Sequence, residues 1–195
     1  MPRLIFALIV SLLSSAAAAK SIVVLGDSIS AGYGIEVAEG WVALLQSKLT
    51  SLPEQWFIHN ESISGDTSAG GLARLDQALQ RHKPDLLLLE LGANDGLRGL
   101  SPVAMKSNLT EIIRRSQKAG AKVLLLGMKI PPNYGKRYID MFYNIYPELA
   151  TELNVPLMPF ILDSVALDST LMQADGLHPN AKAQPKIADN VWSYV

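Results

Sequence analysis

The sequence predicts a three-layer α/β/α sandwich built around a parallel sheet of about five strands. Two patterns point there: short apolar runs alternate with longer amphipathic stretches along the chain, and the runs beginning at Leu86 and Val123 read as continuously apolar. Strict strand–helix alternation implies right-handed crossovers and a parallel sheet, and a strand covered by helices on both faces loses the polar half of its alternation.

Taken in order, strands are expected over residues 21–25, 56–60, 86–91, 123–128 and 155–158. Helical spacing is expected over 40–50, 70–82, 102–119 and 137–153, with a closing helix over 180–194. In the third helix Met105, Leu109, Ile112 and Ile113 recur on one face. Ser101 suits its cap, Pro102 its first turn and Gly120 its stop. Pro185 is compatible with the closing helix only in its first turn.

The chain of 195 residues suits a single domain, residues 20–195, preceded by a segment of another kind. Arg3, an apolar run over 4–13 and the small residues Ser14 to Ala19 have the form of a secretory signal peptide over 1–19. The apolar run is well short of the roughly 20 residues needed to span a bilayer. The expectation is a cleaved leader, a mature chain starting at Lys20, a periplasmic or secreted location and no stable membrane anchor. The chain contains no cysteine, which removes thiolate nucleophiles, zinc–thiolate sites and dithiol redox chemistry. Beyond the leader, sixteen basic side chains face eighteen acidic ones with no basic block, so nucleic acid is not an expected partner. Nothing in the pattern demands an assembly, and a monomer is expected.

Open parallel sheets carry their sites in the loops beyond the carboxyl ends of the strands. Gly26-Asp27-Ser28 follows the first expected strand, Ser62 to Asp66 the second, Gly92-Ala93-Asn94-Asp95 the third, and Asp175-Gly176-Leu177-His178 lies beyond the fifth. A serine hydroxyl becomes a competent nucleophile when a base takes its proton, and a histidine three residues after an aspartate brings base and orienting carboxylate from one loop. Ser28 N–H, Gly65 N–H and the Asn94 amide are candidate donors to an oxyanion. Taken singly, each segment also has a duller use. Gly-Asp-Ser can cap a helix, Gly65 can turn the chain, Asn94-Asp95-Gly96 is a common turn, and Asp175 and Asn180 can serve backbone groups around His178. His59 and His82 read as structural, and three scattered histidines do not suggest a metal site.

Ser, Gly, Asn and His arrive in that order on successive loops of one sheet edge. With Gly26-Asp27-Ser28, Gly65, Gly92-x-Asn94-Asp95 and Asp175-x-x-His178, the chain resembles the SGNH hydrolase superfamily, the GDSL lipases and esterases, over essentially its whole mature length. The resemblance implies a flavodoxin-like core, no cofactor, nucleophile Ser28, base His178, orienting Asp175, and an oxyanion hole of Ser28, Gly65 and Asn94. It also implies small-molecule substrates: fatty acyl thioesters, lysophospholipids, and simple or aryl esters.

For the acyl chain, Leu97 and Leu100, beside Gly96 and Gly99, are expected as a mobile apolar lip, or else packed on the neighbouring helix. Pro131, Tyr134, Met141 and Phe142 are expected as the opposite wall. A carbohydrate acetylesterase of the same superfamily and a flavodoxin-like ligand-binding module are the rival readings. Against the second, Asp27 would repel phosphate in the loop where such binders cradle it.

Overall fold

The computed structural model describes residues 19–195, so the expected leader lies outside the described residues apart from Ala19. Five parallel strands, β1 (Lys20–Gly26), β2 (Trp56–Asn60), β3 (Leu86–Glu90), β4 (Lys122–Leu126) and β5 (Leu157–Met158), form one sheet in the order β2-β1-β3-β4-β5. The chain steps from β1 outward to β2, then returns past β1 to β3. The switch point of the sheet therefore falls between β1 and β3, where open α/β sheets place their ligands.

Helices α1 (Ser28–Ala31), α2 (Trp41–Thr50), α3 (Ser68–His82), α4 (Ala93–Leu97), α5 (Pro102–Lys118), α6 (Lys136–Glu152) and α7 (Gln184–Trp192) complete the described chain, with short 3-10 turns between them. Helix α2 packs on α7, while α5 packs on both α3 and α6, which gives the expected three layers. Ile22 to Leu25 and Leu87 to Leu89 are fully buried, as are Leu124 and Leu125 to within 1 %.

Most expected elements fall within two residues of their observed bounds, and the exceptions have local causes. Strand β5 keeps only two residues, because the Val155 N–H turns back to the Ala150 carbonyl and Pro156 has no N–H to give a ladder. The closing helix is divided: Asn180 caps a 3-10 turn, Ala181–Ala183, and α7 then starts at Gln184 with Pro185 in its first turn. Helix α6 continues through Pro147, which is exposed, so the Tyr143 carbonyl that lacks its partner N–H is on a side open to water. Helix α1 follows the Gly-Asp-Ser segment as a capped turn, and α4 occupies a stretch where the sequence suggested only a turn.

The amino end of α2 shows how the outer layer is joined. Gly40 offers no capping side chain, and the first N–H of the helix, from Trp41, donates instead to Gln184 Oε1 at 3.0 Å; Gln184 Nε2 donates in turn to the Asn180 carbonyl at 3.2 Å. Gln184 is 1 % exposed, so neither group has water as a substitute. Gln184→Leu is expected to lower unfolding free energy by about 1–3 kcal/mol, the cost of leaving the buried Trp41 N–H without a partner, since the Asn180 carbonyl keeps the Ala183 N–H. Chemical denaturation would measure it; an unchanged midpoint would show that this cross-layer cap is dispensable.

Candidate active site

Ser28 is the first residue of α1, directly beyond β1, and is 9 % exposed. Asp27 caps this turn, its Oδ1 accepting from the Ile29 N–H at 3.0 Å, and Gly32 ends it in a left-handed conformation. The base comes from the other end of the chain. His178 Nε2 lies 2.9 Å from Ser28 Oγ, and His178 Nδ1 lies 2.7 Å from Asp175 Oδ2. With the Nδ1 proton donated to the carboxylate, Nε2 offers its lone pair to the serine hydroxyl.

The loop that carries the histidine is closed upon itself. Asp175 Oδ1 accepts from the N–H groups of Leu177 and His178 at 2.9 and 3.0 Å. A bridge pairs Met172 with Pro179, and Gln173 Nε2 reaches the carbonyls of Tyr33 at 2.7 Å and Pro179 at 3.0 Å. The backbone N–H of His178, its ring and the N–H of Leu177 hold the Asp175 carboxyl down to about 2, so it is anionic wherever the imidazole works as a base. The Tyr33 ring lies against the His178 ring, centroids 4.6 Å apart.

The three expected donors come from three neighbouring strand ends. Gly65 sits at φ +81°, a conformation that side-chain-bearing residues rarely adopt, while a Cβ there would meet only ordinary contacts. Glycine is thus required by the backbone angle and not by crowding. Arg98 Nη2 anchors the Gly65 carbonyl at 2.6 Å. Asn94, on α4, donates one amide proton to Asp27 Oδ2 at 3.1 Å and retains a second.

Beneath these groups lies a polar layer that the sequence reading did not assign. Glu90, the last residue of β3, is 0 % exposed; its Oε2 accepts from Ser30 Oγ at 2.6 Å and from the Asp27 N–H at 3.2 Å. It stands in register with Gly26, where a Cβ would come within 2.7 Å of Glu90 Oε2 and of Ser30 Oγ. Asp95 accepts from the N–H and hydroxyl of Ser68 at 2.7 and 2.6 Å, tying α4 to the start of α3. Arg74 reaches the carbonyls of Glu61 and Gly26 and pairs with Asp66 at 2.7 Å, which fastens the loop of Gly65 to the end of β1. The available signal was Glu90 itself, a single charge inside an otherwise apolar run.

The expected substrate residues divide. Pro131 lines an apolar cavity of about 420 Å³ together with Ile130, Phe160, Leu162, Met172 and Leu177, beside the histidine loop. Leu97 and Tyr134 are half-buried against the core, and the Tyr134 hydroxyl donates to the Leu97 carbonyl at 2.7 Å. Leu100 is 43 % exposed, and its carbonyl accepts from the Tyr138 hydroxyl at 2.8 Å, so this lip is tethered by two tyrosines. Phe142 is 1 % exposed and packs edge-on against Tyr146 under Gly96, a place in the core and not on a wall. Met141 faces a separate groove of about 690 Å³ between α5 and α6, whose lining includes none of the serine, histidine or donor residues. His59 and His82 stack on each other, centroids 4.0 Å apart, with His82 Nε2 2.6 Å from Glu61. Among the described residues no cluster of histidine and carboxylate side chains has metal-binding geometry.

A doubly wound sheet that brings a serine and a histidine within hydrogen-bonding reach at its carboxyl edge has the arrangement of the class of serine ester hydrolases. Residues 24–184 match the GDSL-like Lipase/Acylhydrolase family, and the chain belongs to that family. It is 48 % identical to the arylesterase of Vibrio mimicus over 98 % of this chain and 96 % of that protein. It is 47 % identical to thioesterase 1/protease 1/lysophospholipase L1 of Escherichia coli K12, over 94 % of this chain and 87 % of that one. A crystal structure of the psychrotrophic esterase EstA from Pseudoalteromonas sp., inhibited by monoethylphosphonate, superposes with a TM-score of 0.86 at 46 % identity, covering 89 % of this chain and 95 % of the other.

Proposed function

We propose that this enzyme hydrolyses esters and thioesters of apolar acyl chains through an acyl-serine intermediate. The observation that carries the reading is the unbroken path from Ser28 Oγ through His178 to the Asp175 carboxylate, at 2.9 and 2.7 Å. Ser28 Oγ attacks the acyl carbonyl as its proton passes to His178 Nε2, and Asp175 stabilises the imidazolium. The N–H groups of Ser28 and Gly65 and the free amide proton of Asn94 receive the oxyanion, donors typically worth ~3 to 4 kcal/mol each. His178 then protonates the departing alcohol or thiol, and water attacks the acyl-serine by the same route in reverse.

The names of the relatives support a range that takes in aryl esters, acyl thioesters and lysophospholipids. The apolar cavity beside Leu177, within the range of known ligand sites, supports an acyl chain of medium length. Residues 1–19 we assign as a signal peptide that takes the enzyme to the periplasm or beyond. Sequencing the exported protein is expected to find Lys20 at its amino terminus, and an intact leader on it would reject this assignment.

Ser28→Ala and His178→Ala are expected to lower kcat by about 10⁴- to 10⁶-fold with the fold retained, and Asp175→Asn by less. Stoichiometric labelling by a fluorophosphonate is expected in the wild type and lost in Ser28→Ala. Folded variants with near wild-type ester hydrolysis would exclude the assignment.

Across p-nitrophenyl esters of increasing acyl length, kcat/KM is expected to rise from acetyl to medium chains, with fatty acid released from lysophospholipid. Strict preference for acetyl groups, with acetate released from acetylated sugars, would instead identify a carbohydrate deacetylase.

A further inference from the structure

Two carboxyl groups, those of Asp27 and Glu90, are buried side by side beneath Ser28, at 1 % and 0 % exposure. Among the described residues no ion pair reaches either of them. The groups around the pair come from every adjoining element. Ser30 gives its hydroxyl proton to Glu90, and the Tyr146 hydroxyl gives its own to the Leu91 carbonyl. Asp95 is committed to Ser68, Arg74 is ion-paired with Asp66, and His178 stands beyond Ser28. None of these neutralises a second negative charge.

Each carboxyl has two donors, but those of Glu90 fall on one oxygen. Asp27 accepts from Ile29 N–H and from the Asn94 amide, whereas Glu90 Oε2 accepts from Ser30 and from the Asp27 N–H, and Glu90 Oε1 has no donor among the described residues. The Asp27 N–H to Glu90 Oε2 contact at 3.2 Å brings the two acids together, and Glu90 Oε1, buried without a donor, is an oxygen that a protonated carboxyl can use as a donor and an ionised one cannot.

We propose that Glu90 is a positioning residue that works in its protonated form: the Oε1 hydroxyl donates to the Asp27 carboxylate, which stays anionic and holds the Asn94 amide with its second proton turned to the oxyanion. Glu90 acts through Asp27 and touches no reacting atom. Burial pushes Glu90 well above the usual carboxylate range, with the Asp27 charge adding to it. Burial likewise raises Asp27, but the Ile29 N–H, Glu90, His178 and Asn94 restrain it to about 6. Above that pH the pair carries one proton and one charge. Below it Asp27 protonates too, and its grip on Asn94 weakens.

The kinetic part of the test rests on the serine-hydrolase reading, and the spectroscopic part does not. In wild-type enzyme labelled with ¹³C at glutamate side-chain carboxyls, the Glu90 resonance, assigned by its loss in Glu90→Gln, is expected to have the shift of a neutral acid at pH 7. An ionised Glu90 at that pH would overturn the proposal, whatever the enzyme's activity. Glu90→Leu, which cannot donate to Asp27, is expected to lose kcat by at least about tenfold relative to Glu90→Gln, with KM within about threefold. Its acid limb of kcat is expected to move to higher pH, while Glu90→Gln, whose amide can replace the hydroxyl donor, keeps the wild-type limb. Equal kcat in the two variants, or an unmoved limb in Glu90→Leu, would also overturn it. Should Glu90→Leu not fold, the resonance of the wild-type enzyme decides alone.

Discussion

The Asp27 carboxylate sits at the switch point of the sheet and takes hydrogen bonds from both sides of it, from Ile29 in the turn after β1 and from Asn94 in the turn after β3. One buried carboxyl group thus sets two distances at once: where the Ser28 hydroxyl emerges and where the Asn94 amide lies relative to it. The strands on which these turns are mounted are nearly inaccessible to water, so the turns inherit the rigidity of a close-packed core. Gly26 makes room for this arrangement by leaving the space that Glu90 and Ser30 fill.

The second half of the proposed machinery is delivered differently. Strand β5 lies at the edge opposite β2, two strands beyond β3, and the loop of Asp175 and His178 must return across the sheet to reach Ser28. It does so as a preassembled unit, shaped by Asx-type hydrogen bonds from Asp175 and by the Met172–Pro179 bridge. Gln173 then attaches that unit to the Tyr33 carbonyl, just after the serine turn. Local bonds shape the base and its carboxylate, and a few long-range bonds place them.

The glycine-bearing segment after Asn94, expected as a mobile lip, is held by two tethers from tyrosine hydroxyls. Tyr134 lies in the 3-10 turn before α6 and Tyr138 in the first turns of that helix, so any displacement of Leu97 or Leu100 is coupled to α6. The cavity beside Leu177 belongs to the loops after β4 and β5.

The sequence by itself determined the layering, the five strands and the main helices, and it pointed to Ser28, Asp175 and His178 as side chains that the fold brings together, because burial periodicity, caps and a three-residue Asp–His spacing are local signals. It also singled out Gly65 and Asn94, while the backbone angle that requires the glycine, φ +81°, became visible only in the fold. Only the tertiary structure decided that Phe142 supports Gly96 from within the core, that Gln184 caps a helix 143 residues away, and that Glu90 and Asp27 meet beneath the nucleophile. The physical reason is the same in each case. A phenylalanine in an amphipathic helix, a glutamine at a helix start and a lone glutamate in a strand carry local patterns that do not name their partners, and those partners are chosen by which strands and helices become neighbours.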